Sequence, residues 1–279
     1  MNPGRPSMTA RAVASRRAAH QLLDRPLVLA DPVAVPILGP EFFCNPARHA
    51  DPRSCAFRAW IVARSRYAED SLALALAAGV TQYLILGAGL DTFAYRNPYP
   101  KLRVFEADLP SMQQWKRKML LAAQIPTPAR LTYVPLDLEH QTLAAALAQA
   151  GFDVDRPAFI SWLGVTTYLT LAAFRATLQL ATSLPPTSGI TLDYSVADSE
   201  LTPQLLRDRR SLAARVAAAG EPFQLFFTTD QMESELRTAG FHRIEQLDNQ
   251  HLNARYFSDR TDSLALPPSG LAKVATAWV

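Results

Sequence analysis

The feature that most constrains the fold is the segment formed by residues 83–96, YLILGAGLDTFAYR. Its apolar run is short and ends at a glycine, which is typical of a parallel strand buried on both faces. Gly87 and Gly89 allow the backbone to turn sharply and leave room for a ligand to approach it. Asp91 can accept hydrogen bonds from the first free amides of a helix over residues 91–96. The segment therefore predicts a strand, a glycine turn and a helix, the unit that binds small ligands at the carboxyl edge of a parallel sheet.

The glycine turn alone does not identify the ligand. The dinucleotide fingerprint G-x-G-x-x-G requires a third glycine, and Thr92 occupies that position. This argues against NAD or FAD, although a nicotinamide-dependent oxidoreductase would share the order of strand, glycine turn and acidic residue. A Gly-x-Gly turn also occurs in ordinary α/β domains that bind no ligand there. The next strands are needed to choose between these alternatives.

A second strand, predicted over residues 102–108, ends in acidic residues. It ends about 20 residues beyond the glycines, where a nucleoside-binding crevice places a carboxylate that accepts hydrogen bonds from ribose. Glu106 and Asp108 lie two apart and share one side of the strand, and Asp108 lies nearer the carboxyl edge. We therefore predict that Asp108 binds the ribose, with Glu106 in support. The alternative is that Asp108 only caps the helix that begins at Pro110.

A third strand, predicted over residues 131–136, leads into Asp137 and Leu138. The carboxylate of Asp137 can accept from an exocyclic amine, and the amide of Leu138 can donate to a ring nitrogen. Together they would recognise adenine. The alternative is that Asp137 caps a helix over residues 139–150.

The rest of the chain continues the alternation of helices and strands. Further strands are predicted at residues 158–162, 190–194, 242–247 and 272–279, and further helices at residues 9–23, 110–124, 171–182, 201–219 and 229–239. Asp51-Pro52 opens a long helix that ends near Gly79. This pattern predicts an α/β fold with a mostly parallel sheet, closed by an antiparallel pair at the C-terminus.

Composition favours one domain and excludes several classes of function. The chain has 279 residues, 49% hydrophobic and 19% charged, which suits one large core and a single domain over residues 1–279. The basic residues behind the net charge of +3 are dispersed, so we predict no nucleic-acid partner. No apolar run suits a membrane span. Cys44 and Cys55 form neither a metal-binding nor a disulfide pattern, which predicts no metal and a cytoplasmic location.

The ordered motifs resemble those of class I S-adenosylmethionine-dependent methyltransferases, and specifically the leucine carboxyl methyltransferase family with its bacterial relatives. The motifs are ARSRY at 63–67, GAGLDTFAYR at 87–96, FEADLP at 105–110, VPLDL at 134–138, LGVTTYL at 163–169 and ARYFSDRTDSL at 254–264. The resemblance implies a Rossmann-like fold whose sheet has seven strands. It also implies a helical N-terminal cap, here residues 1–60, over a core of residues 61–279 with a helical insertion near 198–220.

The resemblance also implies a cofactor, S-adenosylmethionine, which becomes S-adenosylhomocysteine. An arginine before the first strand pairs the cofactor's methionine carboxylate in this family, and of Arg64 and Arg66 we favour Arg64 because a guanidinium pairs both carboxylate oxygens. The residues predicted to bind the cofactor are Arg64, Gly87, Ala88, Gly89, Asp91, Glu106, Asp108, Leu109, Asp137 and Leu138.

One position departs from the family pattern. Relatives commonly carry an acidic residue before Gly164, where it can meet the cofactor's ammonium group, and this chain has Leu163. Backbone carbonyls near Gly87 or Ser161 are the expected substitutes. Candidate substrate-binding residues are Trp162, Tyr168 and Tyr194, with Asp193 beside them, and the alternative for each is packing or capping. We assign no catalytic residue.

These observations predict an O-methyltransferase that acts on a carboxylate or hydroxyl of a small molecule. Some relatives are associated with polyketide or other secondary metabolism. A protein carboxyl terminus as the acceptor, a nicotinamide-dependent oxidoreductase and a non-catalytic nucleoside-binding protein stay as alternatives, the last because Leu163 replaces the acid. Both a monomer and a homodimer agree with the sequence.

Overall fold

The structure, a computed structural model, describes residues 8–39, 51–137, 141–218 and 220–279. Its strands form one seven-stranded sheet in the order β3-β2-β1-β4-β5-β7-β6. Strands β1 to β5 pair in parallel, and β7 pairs antiparallel with β5 and β6. The strands are β1 (Gln82–Leu86), β2 (Arg103–Asp108), β3 (Leu131–Pro135), β4 (Ala158–Trp162), β5 (Gly189–Ser195), β6 (Arg243–Leu247) and β7 (Ala272–Trp278). The predicted α/β fold with an antiparallel C-terminal pair is confirmed.

Helices cover both faces of the sheet. They are α1 (Met8–Leu23), α2 (Pro52–Ala77), α3 (Phe93–Arg96), α4 (Pro110–Ala122), α5 (Leu143–Gln149), α6 (Leu171–Ser183), α7 (Pro203–Ala218), α8 (Thr229–Ala239) and α9 (Asn249–Tyr256). Phe174 and Leu178 of α6 and Leu236 of α8 belong to the apolar core on one face. Leu72 of α2 and Phe93 of α3 belong to the core on the other face.

The topology places a crevice beside β1. This strand pairs with β2 on one side and with β4 on the other, so the strand order reverses there. Connections that leave the two sides of such a point diverge, and the carboxyl ends of the strands are left open to a ligand. The glycine turn after β1 lies at this opening.

Helix α2 links the N-terminal part of the chain to the sheet. The side chain of Asp51 accepts from the amide of Ser54 at 3.0 Å, and Pro52 occupies the first turn, as the Asp-Pro pair predicts. The helix then runs without a break past residue 60 to Ala77. The predicted cap and core therefore share one helix.

Some elements differ from prediction. Helix α3 begins at Phe93, because Asp91 accepts from the Phe93 amide at 2.7 Å and so lies just before the helix. Helix α5 begins after Thr142. Helix α9 was not predicted, although Asp248 accepts from the amides of Gln250 and His251 at 3.0 Å each.

Several predictions fall partly outside the described residues: the start of the helix at residues 139–150, the end of the helix at residues 201–219, the adenine contact of Leu138, the role of Cys44 and parts of the cap at residues 1–60. Within the described ranges, no helix is both long enough and apolar enough to cross a membrane. No cluster of three or more His, Cys, Asp or Glu side chains in the same ranges is arranged to hold a metal ion.

Candidate functional site

A cavity of about 2070 Å³ opens at the carboxyl edge of the sheet. The glycine turn, Asp91, Asp108 and Asp137 line one part of it, and Arg64 and Asp193 lie on its wall. Helix α7 contributes another part of the lining, with Leu205, Ser211, Leu212, Arg215 and Val216, and we call this part the α7 chamber. Single ligand pockets usually measure about 300–1,000 Å³, so this cavity is large enough for two ligands side by side.

The glycine turn has a shape that other residues resist. Gly87 has a φ of +65° and Gly89 a φ of +47°. A Cβ at position 87 would lie 2.2 Å from Cγ2 of Val165, a distance that real Cβ atoms do not show. Position 87 therefore needs glycine both for its left-handed backbone and for the close approach of the segment after β4.

Asp108 is fixed toward the glycine turn. One carboxylate oxygen accepts from the Gly89 amide at 2.5 Å and the other from the Leu109 amide at 2.7 Å. Helix α4, which follows, has Leu109 at its N-cap and no side-chain cap. Burial raises the pKa of Asp108, and the two amides act in the opposite direction. The carboxylate thus joins β2 to the turn after β1 and borders the cavity, instead of capping α4.

Glu106 lies elsewhere. It is buried and forms an ion pair with Lys116 of α4 at 2.6 Å, and it is not among the residues that line the cavity. Burial raises its pKa to about 7, against the influence of Lys116. Residues two apart on a strand do share a side, but Glu106 is roughly 7 Å further from the edge, where α4 covers it. The structure therefore does not bring Glu106 to the site with Asp108.

Asp91 connects the glycine turn to α1. Its carboxylate lies 3.2 Å from Arg17, whose guanidinium also donates to the carbonyl of Leu90. Burial opposes the charge of Asp91, but Arg17, Lys116 and Arg96 together hold its pKa below the usual value. Sequence reasoning gave Arg17 no role, because nothing in the pattern of the first helix indicates its contact with the glycine turn.

Thr92, at the position where a dinucleotide fingerprint has glycine, serves the structure. It is fully buried, and its hydroxyl donates to the carboxylate of Asp31 at 2.5 Å. The same carboxylate lies 3.4 Å from Nε of Arg17. The position is therefore part of the contact between the glycine turn and the N-terminal segment.

The two candidate arginines of α2 point in different directions. Arg64 is 7% exposed, lines the cavity and pairs with Asp193, whereas Arg66 is exposed and pairs with Asp70 at 2.8 Å. Nε of Arg64 is buried and forms no hydrogen bond with any described residue. Arg64 therefore lies on the cavity wall with part of its guanidinium uncommitted, and Arg66 faces away.

Asp193 occupies the end of β5 beside the segment after β4. One carboxylate oxygen accepts from the Gly164 amide at 2.6 Å and the other from Nη1 of Arg64. A Cβ at position 164 would lie 3.1 Å from the Arg64 guanidinium, so Gly164 leaves room for this arrangement. Leu163 lines the same cavity next to it.

The three aromatic candidates have different surroundings. Trp162 is fully buried, stacks on Phe174 with ring centroids 5.4 Å apart, and does not line the cavity. The structure thus places Trp162 in the core, the alternative given above. Tyr194 borders the cavity, but its hydroxyl donates to Gln246 at 2.6 Å. Tyr168 also lines the cavity, and burial raises its pKa to about 12, so its phenol stays protonated at neutral pH.

Asp137 lies at the edge of the cavity. Helix α5 has Thr142 at its N-cap, so Asp137 is not the cap of this helix. The backbone amide of Asp137 donates to the side chain of Gln141 at 3.1 Å. The structure therefore brings Asp91, Asp108 and Asp137 to one edge together with Arg64, while Glu106 and Trp162 lie outside the cavity.

This arrangement fits S-adenosylmethionine. A carboxylate at the end of β2 and another at the end of β3 can accept from a ribose and an adenine, and the guanidinium of Arg64 on the cavity wall can donate to a carboxylate. The glycine turn leaves space between these carboxylates and Arg64 for the part of the cofactor that joins its nucleoside to its amino acid. The predicted roles of these individual residues stay predictions.

The fold is that of class I methyltransferases. A structure described as a "putative methyltransferase from Thermobifida fusca" matches with a TM-score of 0.60 and 18% identity, covering 99% of this chain and 96% of that chain. A DUF574 family protein from Streptomyces avermitilis gives a TM-score of 0.56 and 18% identity, covering 95% and 96%. At this identity the likeness concerns the fold.

The family follows from sequence similarity. Residues 10–182 match the family model described as leucine carboxyl methyltransferase. The Bacillus subtilis (strain 168) protein named "Putative S-adenosyl-L-methionine-dependent methyltransferase YktD" is 31% identical over 294 residues, which cover 95% of this chain and 96% of that protein. The chain belongs to the leucine carboxyl methyltransferase family, as the resemblance of its motifs indicated.

Proposed function

We propose that this S-adenosylmethionine-dependent methyltransferase transfers the methyl group to an oxygen of a small molecule, either a carboxylate or a hydroxyl. The observation that carries the proposal is the extent of the cavity. It continues from the glycine turn into the α7 chamber, and its volume of about 2070 Å³ exceeds that of one ligand pocket. A cofactor at the sheet edge would leave the α7 chamber for an acceptor.

The chain's own residues would contribute alignment and exclusion of water. Bound S-adenosylmethionine supplies a methyl group on a positively charged sulfur, and the remaining S-adenosylhomocysteine is a neutral thioether that needs no proton to leave. The rate then depends on holding the acceptor oxygen in line with the methyl group, in a closed site. Helix α1 and the segment after α7 are suited to provide the closure, because Thr9 donates to Glu221 at 2.6 Å and both residues line the cavity.

The acceptor type determines whether a general base is required. A carboxylate is already a nucleophile, whereas a phenol or an alcohol is helped by a base. No histidine lines the cavity within the described part of the chain, and the raised pKa of Tyr168 makes it a poor base at neutral pH. A carboxylate acceptor needs no base, and we expect it on that ground; for a hydroxyl, the cavity-lining carboxylates Asp208 and Glu221 are the candidates for the base.

The test is transfer of labelled methyl from S-adenosylmethionine to a panel of carboxylic acids, phenols and alcohols. A methyl ester releases its label as methanol in mild base, whereas a methyl ether does not, so one assay separates the two acceptor types. We expect base-labile label on at least one acid. Binding of S-adenosylhomocysteine with no transfer to any acceptor would instead support the non-catalytic binding protein, and oxidation or reduction with a nicotinamide would support an oxidoreductase.

A further inference from the structure

The structure leaves open how the cofactor's ammonium group is held. The family resemblance implies an acid at the position of Leu163, which lines the cavity beside Gly164, and a leucine side chain cannot accept a hydrogen bond. A buried ammonium without acceptors is strongly unfavourable, so another group has to lie nearby. The group that accepts from the ammonium must also lie close to the residue that binds the cofactor's carboxylate, because the ammonium and the carboxylate are bonded to the same carbon atom.

We propose that Asp193 is the acid that receives the cofactor's ammonium group and that, with Arg64, it forms a receptor for the amino-acid end of S-adenosylmethionine. This inference rests on the proposed cofactor. Both side chains are 8% exposed and line the cavity. Their ion pair places a cation and an anion side by side, and an amino acid presents the opposite pair of charges in the same arrangement.

The hydrogen bonds of this pair leave capacity for a ligand. Asp193 uses one oxygen for Gly164 and one for Arg64, while a carboxylate can accept about four hydrogen bonds. Arg64 uses Nη1 for Asp193, and its Nε is buried without a partner among the described residues. A guanidinium carries five N–H donors, so Arg64 keeps donors for the cofactor's carboxylate, and the cofactor's ammonium can take the free lone pairs of Asp193.

The position of Asp193 matches that of the missing acid. Its carboxylate accepts from the amide of Gly164, the residue directly after Leu163. Strands β4 and β5 are parallel neighbours, with Trp162 opposite Leu192, so their ends meet at the same place on the sheet edge. A carboxylate from β5 therefore reaches the point that an acid at position 163 would serve from β4.

The test compares three ligands by calorimetric titration: S-adenosylhomocysteine, its deaminated analogue and its decarboxylated analogue. Asp193→Asn keeps the shape of the side chain and removes its charge. We expect it to weaken S-adenosylhomocysteine and the decarboxylated analogue by at least about tenfold, because both keep the ammonium, and to leave the deaminated analogue almost unaffected. Glu233→Gln, in an exposed pair with Arg237, is the control and should change none of the three.

Two results would overturn the proposal. Equal affinities for wild type and Asp193→Asn would remove any role in binding. Weakening confined to the two ligands that keep the carboxylate would show that Asp193 only orients Arg64. A wild-type protein that binds none of the ligands would instead refute the proposed cofactor, so the two failures are distinct.

A double variant tests whether an acid at position 163 can replace the carboxylate of Asp193. Leu163→Glu in the Asp193→Asn background returns an acid to the place where relatives carry it, and should recover most of the lost affinity for S-adenosylhomocysteine. Affinity as weak as in the single variant would contradict the proposal. Thermal unfolding of each ligand-free variant checks the fold; if Asp193→Asn does not fold, Asp193→Glu, which keeps the pair with Arg64 but displaces the carboxylate, replaces it in the same comparison.

Discussion

At the scale of single residues, the site depends on backbone positions as much as on charged groups. Gly87 adopts a left-handed conformation directly beneath Val165. Its amide, and that of Ala88, both donate to the carbonyl of Ala107, at 2.8 and 3.2 Å. The turn is thus held against β2 at the point where Asp108 leaves that strand.

Gly87→Ala should disrupt this turn. The left-handed backbone alone costs about 1–2 kcal/mol for a residue with a Cβ, and the clash with Val165 adds to it. Gly79→Ala is the control, since Gly79 has a φ of +99° and nothing within 4 Å of its added Cβ. Chemical denaturation should show a larger loss of stability for Gly87→Ala, and calorimetry a loss of S-adenosylhomocysteine binding in this variant alone. Equal behaviour of the two variants would contradict the role given to the turn.

The buried pair of Glu106 and Lys116 predicts a pH dependence of stability. Burial raises the pKa of Glu106 from 4.5 to about 7 despite Lys116, so between these values the folded protein binds the proton more tightly than the unfolded chain. The contribution of this group to stability is therefore present below about pH 4.5 and is lost as the pH rises through about 7.

The measurement is the free energy of unfolding in urea from pH 4.5 to 7.5, for wild type and for Glu106→Gln/Lys116→Met. We expect the wild type to lose up to about 3 kcal/mol more than the double variant over this range. Parallel pH profiles would show that Glu106 is not titrating with a raised pKa.

At the scale of elements, α1 is fastened to the site by polar contacts at two places. Arg17 contacts Asp91 and the carbonyl of Leu90, and Thr9 contacts Glu221 beyond the end of α7. A helix over a cavity that is held by few buried ion pairs can open locally without unfolding of the sheet.

Arg17→Met should release α1 from the glycine turn. Removal of one partner from a buried ion pair costs about 3–5 kcal/mol, because the other charge is left without compensation. We expect faster amide hydrogen exchange over α1 and weaker binding of S-adenosylhomocysteine, by about tenfold or more. Arg11→Met, on the exposed side of the same helix, should change neither. Unchanged exchange in Arg17→Met would mean that other contacts hold α1.

At the scale of the whole molecule, the succession of strands along the chain and the residues at their carboxyl ends could be predicted from local patterns, whereas their order in the sheet was not predicted. Apolar runs that end in glycine or acid mark β1, β2 and β3, and their ends meet at one edge because the strands are parallel. The same reasoning placed Asp108 and Asp137 at one edge of the sheet, although they are 29 residues apart in the chain. Matching motifs supplied the family and the cofactor.

Other features depended on packing between distant elements. Glu106 was assigned to the site because strand periodicity gives the side of a residue but not the helix that covers it. The pair of Arg64 and Asp193 joins residues 129 apart in the chain, and no local pattern indicates it. Helix α9 was missed because a short polar helix has weak apolar periodicity, even with Asp248 as its cap.

The most direct test of the central claim is calorimetric titration of the protein with S-adenosylhomocysteine and with NADH, for wild type and Asp108→Ala. Asp259→Ala, an exposed acid, serves as the control for the loss of one charge. The account predicts that S-adenosylhomocysteine binds the wild type and the control, that Asp108→Ala weakens it on the order of 10- to 100-fold, and that NADH does not bind. Binding of NADH, or of neither ligand, would contradict a site built for S-adenosylmethionine.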